Sequence, residues 1–376
     1  MNTPCYTIHL DIFEKNCREV MDVFEEAWGG RVEYGYSVKT NHDAGLMKYA
    51  HAKLGWFIET VSPDELELAF NLGFDAENII FNGPCKCSRQ DALINAIRGG
   101  AYVNLDNLDD VSFVCGHVSD VRDASRIGIR VNYNLEAECP GETTAGESVS
   151  RFGIDVENKD FARAVDMLRS AGIEPAGLHM HTSTRSRSAA VFTSLARKAA
   201  QLVNDYGLKL HFVDMGGGYF GGQKVEGKPS MEQYAQVITR ELKKALNPEM
   251  TTLILEPGAS VIATSVTYET SVLSVRDIRG TKIVTMDGTL LHVNPFMAHR
   301  NQPYSTSLIA YYDARPVDEH QIICGCTCME NDRFADEHSV RRLEPGDVLS
   351  FRFAGAYTMA FNSNFIVNPA EVNYEF

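Results

Sequence analysis

Eight short apolar runs, separated by segments in which apolar residues recur every three to four positions, limit this chain's possible folds more than any other feature. The runs lie at 32–38, 56–60, 78–81, 101–104, 127–132, 176–180, 210–214 and 252–256. Helix-period segments fall between them near 43–54, 63–72, 89–98, 107–116, 158–171, 187–206 and 231–246, and another precedes them at 12–28. In that first segment Phe13, Cys17, Val20, Met21, Phe24 and Trp28 form one stripe, the spacing of a helix with a single buried face. Ser62-Pro63-Asp64-Glu65 opens another with a capping serine, a proline in the first turn and an acidic start. Eight strand–helix units without a break predict a closed (β/α)8 TIM-type barrel in preference to a doubly wound open sheet.

After Gly258 the pattern changes to strand-like segments at 261–278, 282–287, 319–328, 347–353 and 357–362, punctuated by Glu344-Pro345-Gly346-Asp347. These predict a C-terminal antiparallel β domain. The run Cys5–Leu10 comes too early for the barrel and is assigned to the same domain. The expected division is therefore 12–260 for the barrel, and 1–11 with 261–376 for the β domain. The polar stretch Glu136–Ser150 reads as a mobile loop after the fifth strand.

A net charge of −15 argues against nucleic-acid binding, which needs clustered Lys and Arg. No apolar run approaches the roughly 20 residues of a membrane span, and the N-terminus lacks a signal-peptide pattern. Nine scattered cysteines, an odd number, fit reduced thiols in a cytoplasmic protein. Cys324-Gly325-Cys326-Thr327-Cys328 on a strand would align three thiols on one face. Zinc sites usually use C-x2–4-C spacing with further ligands, so this pattern and Cys85-Lys86-Cys87 suit packing or a single catalytic thiol.

In a parallel barrel, reactive groups sit at the carboxyl ends of the strands. Those ends here carry Lys39, Glu59, Asn82, Arg130, His179 with His181, Asp214 and Glu256. Lys39 closes the run Val32–Val38; at a pocket floor, desolvation favours its neutral, nucleophilic amine. Gly216-Gly217-Gly218 follows strand seven and Glu256-Pro257-Gly258 ends strand eight, where barrels commonly cradle phosphate. A carbonyl-capturing lysine beside a phosphate cradle suggests pyridoxal 5′-phosphate. Arg130 and Glu59 suit either the ligand or a structural ion pair with each other, and Asp214 suits support of the glycine turn.

Taken in order, these motifs are similar to those of the fold-type III pyridoxal-phosphate decarboxylases, the diaminopimelate, ornithine, arginine and carboxynorspermidine decarboxylase group. The matching pieces are Tyr36–Asn41, Asn82–Lys86, Ser150–Ile154, Gly177–His181, Asp214–Gly218, Glu256–Gly258, Cys328 with Asp332, and Gly355-Ala356-Tyr357. The resemblance implies that Lys39 is the Schiff-base lysine, that His181 stacks on the cofactor ring, and that Glu256 pairs with the ring nitrogen. It further implies that Gly217, Gly218, Gly258 and Tyr357 hold the phosphate with Arg130 nearby, and that Cys328 protonates Cα from the second subunit of a homodimer with shared active sites. The implied reaction is decarboxylation of a small-molecule amino acid to its amine, in amino-acid or polyamine metabolism. An amino-acid racemase is the alternative on the same plan.

Three positions depart from the group. Ala259 stands where Glu-Pro-Gly is usually followed by arginine, Asn294-Pro295 where diaminopimelate decarboxylases have Arg-Pro, and Met329 where an acidic residue receives a distal amino group. Asp287 and Asp332 remain as candidate contacts for a substrate ammonium, and Arg185 and Arg187 as sources of positive charge. These changes point to a larger or modified amino acid, with diaminopimelate as the other reading.

Overall fold

The computed structural model describes residues 2–142, 149–296, 307–309 (backbone only), 315–361, 364 and 366–376. It divides into two compact units, residues 17–260 and residues 1–16 with 261–376. Among the described residues no helix is long and apolar enough to cross a membrane.

The chain begins with β1 (Cys5–His9) and α1 (Leu10–Trp28). β2 (Val32–Ser37), α2 (Ala44–Leu54), β3 (Phe57–Thr60), α3 (Pro63–Asn71), β4 (Ile79–Phe81), α4 (Gln90–Gly99), β5 (Tyr102–Leu105), α5 (Leu108–Gly116) and β6 (Ile127–Asn132) follow. Next come α6 (Leu135–Glu138), β7 (Ile154–Asp155), α7 (Asp160–Ser170), β8 (Gly177–His179), α8 (Ala189–Tyr206), β9 (Phe212–Asp214), α9 (Met231–Leu242), β10 (Thr252–Leu255) and α10 (Ala259–Ile262). The strands β2, β3, β4, β5, β6, β8, β9 and β10 pair in parallel, and the β5–β6 and β10–β2 pairings close the ring into an eight-stranded barrel. β7 is a short addition that pairs only with the end of β6.

The barrel closes because its strands are apolar on both faces, as strands covered by helices must be. On α1 the predicted stripe is buried: Phe13, Cys17, Val20, Phe24 and Trp28 are essentially inaccessible, while Met21 stays half-exposed. Ser62 caps α3 by accepting the Glu65 N–H at 3.1 Å, a contact of about 1 kcal/mol. The amino-terminal half of the lumen is filled by Ile80, Tyr102, Phe212 and Ile254, with Phe57 packed against them. Phe212 crosses directly over Gly177, where a Cβ would run into its ring. That plug leaves the opposite, carboxyl-end mouth to polar residues.

The second unit contains β11 (Val266–Ile278), β12 (Thr281–Met286), β13 (Ser307–Ile309), β14 (Val317–Cys324), β15 (Arg333–Arg341), β16 (Val348–Arg352) and β17 (Glu371–Glu375). Its sheet runs β13-β16-β11-β12-β14-β15, with β1 joining β11 and β17. It is mainly antiparallel, but β12–β14 and β1–β17 are parallel. Long intervening chain permits this, because parallel neighbours need a crossover of about a dozen residues or more.

Several local expectations are corrected. The strand predicted at 319–328 ends at Cys324, and the three thiols do not line a strand, because Gly325–Cys328 wraps around Asp332. The strand predicted at 357–362 is instead a turn and a short 3-10 helix, Met359–Phe361, with Tyr357 at φ 57°; residue 362 lies outside the described residues. In the stretch Glu136–Ser150, α6 and a turn occupy the first part, and 143–148 lie outside the described residues. The strands β15 and β17 were not foreseen.

Candidate active site

Lys39 lies two residues beyond β2, and its ammonium meets the Glu59 carboxylate of neighbouring β3 at 2.8 and 3.1 Å. Glu59 is fully buried, whereas the lysine side chain keeps 28% exposure towards the mouth. Ser37 Oγ and Asn82 Nδ2 also donate to Glu59, at 2.8 and 3.1 Å. A buried carboxylate is tolerable only with such compensation. Glu59 is therefore the partner of Lys39 and not of Arg130, which pairs with Asp106 at 3.1 Å.

Asn82 ties two carboxylates together. Its Nδ2 reaches Glu59 Oε1 at 3.1 Å and Glu256 Oε1 at 2.5 Å, and its Oδ1 accepts from Asn104 Nδ2 at 2.9 Å. Glu256 is almost fully buried beside Asp214 and His179, whose Nε2 lies 3.5 Å from Glu256 Oε2. Asp214 Oδ1 accepts the Gly216 N–H at 2.8 Å and so shapes the glycine turn, as the sequence suggested. Burial, and then the adjacent Glu256, push the Asp214 carboxyl well above the usual carboxylate range. Burial and the charge of Arg130 hold His179 well below the ordinary imidazole value, so its ring is neutral.

That arrangement has a measurable pH signature. Asp214 binds its proton in the fold and releases it on unfolding, so its contribution to stability falls as pH rises above the unfolded value of about 3.9. Asn in its place accepts the same Gly216 N–H and donates to Glu256 without ionising in either state. The stability of Asp214→Asn relative to wild type should therefore climb with pH from acid to neutral, by up to about 1.4 kcal/mol per unit. Urea unfolding at several pH values measures this; a flat difference would show that Asp214 is ionised in the fold.

At the mouth His181 accepts the Gly217 N–H on Nδ1 at 3.1 Å, which leaves its proton on Nε2. The surrounding walls, Lys39 and Arg130 hold this histidine well below its ordinary value as well. Its ring stacks on His179, 6.1 Å between centroids and 15° from parallel. Arg130 Nη2 donates to the His181 carbonyl at 3.1 Å while its guanidinium covers the Phe152 ring at 4.7 Å. Arg130 thus positions the His181 segment. Gly216 and Gly218 have φ of 65° and 98°, and a Cβ on Gly217 would run into the Glu256 carbonyl oxygen. The loop after β9 accordingly accepts no side chain there.

The residues fit a phosphorylated aldehyde cofactor. Beside the glycine loop and Gly258, the hydroxyls of Thr40, Tyr219 and Ser260 are buried without a hydrogen-bond partner, as are Arg130 Nε and the His179 ring nitrogens. Each such atom costs about 1–3 kcal/mol unless a bound group completes it. A lysine, a buried carboxylate, a flat neutral imidazole and a side-chain-free loop are what an aldehyde, a ring nitrogen, a ring face and a phosphate need.

Of the residues predicted from sequence, Lys39, Arg130, His181, Gly217, Gly218, Glu256 and Gly258 all belong to the carboxyl-end rim of the barrel unit. The β unit holds the others. Asp332 draws two of its segments together, accepting from Leu290 N–H at 2.7 Å and from the Thr327 N–H and hydroxyl at 3.1 and 2.6 Å. Asp287 accepts from Thr270, Ser271 and Thr3. Both carboxylates thus serve the fold of this unit. Asn294 and Met329 are half-buried, while Cys328 and Tyr357 are exposed in the chain alone. Sequence reasoning missed Asn104, Asp106 and Tyr219. Asn104 closes the fourth predicted barrel strand, so the same strand-end reading would have found it.

The family model for the pyridoxal-dependent decarboxylase, pyridoxal binding domain, matches residues 11–263. The diaminopimelate decarboxylase of Archaeoglobus fulgidus is 26% identical over 98% of this chain and 86% of its own. The L-glutamyl-(BtrI acyl-carrier protein) decarboxylase of Niallia circulans is 25% identical over 98% of this chain and 88% of its own. Diaminopimelate decarboxylase from M. jannaschii, solved with L-lysine, superposes with a TM-score of 0.84 at 24% identity, covering 99% and 87% of the two chains. That last likeness speaks for the fold. The chain belongs to the pyridoxal-dependent decarboxylases: it is a pyridoxal 5′-phosphate enzyme that decarboxylates an amino acid.

Proposed function

We propose that the cofactor is carried on Lys39 Nζ and that the substrate is a specialised amino acid, larger than or modified from the common diamino acids. The Lys39–Glu59–Asn82–Glu256 chain of contacts carries the first half of this reading. When bound, pyridoxal 5′-phosphate supplies a sink for the electron pair left at Cα as CO2 departs. Glu256 keeps a proton on the ring nitrogen, while Asn82 and Asp214 hold the carboxylate in place. The neutral His181 offers a ring face, its orientation fixed through Nδ1. The backbone N–H groups of Gly218 and Gly258, with the Ser260 and Tyr357 hydroxyls, hold the phosphate, and Gly217, whose N–H is given to His181 Nδ1, keeps a side chain out of the loop. Cys328 Sγ delivers the proton to Cα as a general acid.

Cys328 serves a site completed by a second copy of the chain, so the working form is a homodimer. In support, Cys328 is exposed, and the exposed Tyr357 ring lies 6.5 Å from Phe361, itself 4.6 Å from Phe296; exposed aromatic groups are enriched at interfaces. Nine free thiols support a cytoplasmic setting.

The substrate reading rests on Ala259, Asn294 and Met329, which offer no charge where a distal ammonium and carboxylate would need one. Asp287 and Asp332 do not compensate, because the fold already uses their oxygens. The name of the Archaeoglobus relative favours the second reading, diaminopimelate itself. CO2 release from diaminopimelate, ornithine, lysine, arginine, carboxynorspermidine and carrier-linked amino acids separates the two. Diaminopimelate should fall short of the best substrate by at least about 10²-fold in kcat/KM, because a site lacking polar partners cannot reward its distal end. Diaminopimelate as the best substrate would replace the reading, and turnover without CO2 would indicate racemisation.

A further inference from the structure

Away from the barrel, three side chains of metal-ligand type converge on one face of the β14–β15 pair. In that antiparallel ladder His320 faces His338 and Ile322 faces Asp336. Alternate residues of a strand share a face, and directly opposed residues project together, so Asp336, His338 and His320 point the same way. His320 Nε2 lies 2.7 Å from Asp336 Oδ1, and His338 Nε2 lies 3.6 Å from the same oxygen. One donor atom from each residue falls within 4.8 Å of the other two. The two imidazoles lie nearly parallel, with centroids 4.2 Å apart. The face opens to solvent, with Asp336 and His338 exposed and His320 half-buried.

A second observation concerns the buried edge of the histidine. His320 Nδ1 lies 3.1 Å from Thr281 Oγ1 on β12. Without an ion His320 donates its Nε2 proton to Asp336 Oδ1 and accepts the Thr281 hydroxyl on Nδ1; a bound ion takes the place of the Nε2 proton, and the hydroxyl then accepts from Nδ1. Metal-bound histidines characteristically have such an outer partner on the second nitrogen.

We propose that His320, Asp336 and His338 bind one divalent transition-metal ion of the Zn2+, Ni2+ or Cu2+ type, with water completing its shell. Two imidazoles and one carboxylate suit these borderline ions, whereas Mg2+ and Ca2+ want oxygen donors throughout. Ligand bonds of about 2.0–2.1 Å in tetrahedral geometry place donors about 3.3 Å apart, between the 2.7 and 3.6 Å spacings found here. Closing the shell requires small shifts of the exposed Asp336 and His338 side chains, one opening the 2.7 Å contact and the other shortening the 3.6 Å one. The ion would clamp the edge strand β15 to β14. None of its ligands belongs to the decarboxylation site, so the inference stands apart from the substrate reading.

The test is a Zn2+ titration of the holoenzyme against a chromophoric chelator, with Co2+ absorption as a report on donor type. Wild type should take up one equivalent that both His338→Ala and Asp336→Asn lose, with circular dichroism unchanged. Thr281→Val should keep the site but weaken it by roughly tenfold. The Co2+ spectrum should show nitrogen and oxygen donors. Retention of that equivalent in either ligand variant, or a thiolate charge-transfer band showing that cysteines take the ion, would overturn the proposal.

Discussion

Lys39→Ala should abolish decarboxylation to within the detection limit of ordinary assays, a fall of roughly 10⁴-fold or more, because it removes the only proposed covalent attachment of the cofactor. The purified variant should also lack the visible absorbance of the protein-bound cofactor, and borohydride should fix no label to it. Stability should change less. The lysine is part-exposed, and Glu59 keeps the Ser37 and Asn82 donors at 2.8 and 3.1 Å. A folded variant that still binds cofactor weakly but does not react is the expected outcome, and a small primary amine should recover part of its turnover. If Lys39→Ala keeps a borohydride-sensitive band, another lysine is the attachment point. The fully buried Lys86 is a poor rival, because it is bound to Asp110 at 3.0 Å and to the Gly83 carbonyl.

The barrel was legible for a physical reason: strands covered by helices on one side and filled on the other must be apolar throughout, and they stand out against amphipathic helices. The edge strand β15 was illegible for the converse reason. Its residues Arg333, Asp336, Glu337 and Arg341 are the charged side chains that protect an edge, and they hide a strand's alternation. Tyr357 misled differently, since a tyrosine at positive φ breaks a segment whose composition favours a strand.

Within the site, the strand-end positions disclosed which groups meet but not how they pair. Whether Glu59 takes Lys39 or Arg130 depends on the stagger of neighbouring strands around the barrel, a quantity that apolar runs do not encode. The β2–β3 register sets Ser37 opposite Glu59 and brings Lys39 within reach, whereas Arg130 meets Asp106 just beyond β5. Asp287 and Asp332 show the same limit from the other side. As residues they look like ammonium receptors, and only the hydrogen bonds to Leu290, Thr327, Ser271 and Thr270 show that the fold itself uses them.

Glu256→Gln is the more discriminating of the two large-effect substitutions, because it alters charge and almost nothing else. The side chain is buried against Asn82, Asp214 and His179, so an isosteric amide can fill the same space. Cofactor binding and KM should therefore change little, whereas kcat should fall by about 10²–10³-fold, the usual loss when one preorganised electrostatic partner of the reacting centre is removed. The expected split between kcat and KM separates the proposed role from a purely structural one, which would lower cofactor occupancy and stability together. The same variant should relax Asp214 towards the ordinary carboxylate range, because the neighbouring Glu256 is, after burial, the next largest influence raising it. Stability of Glu256→Gln should then depend less on pH between about 4 and 7 than that of wild type. A kcat within a few-fold of wild type would mean that the ring nitrogen is held by another group, and the neutral, fully buried His179, with neither ring nitrogen hydrogen-bonded, would be the next to replace.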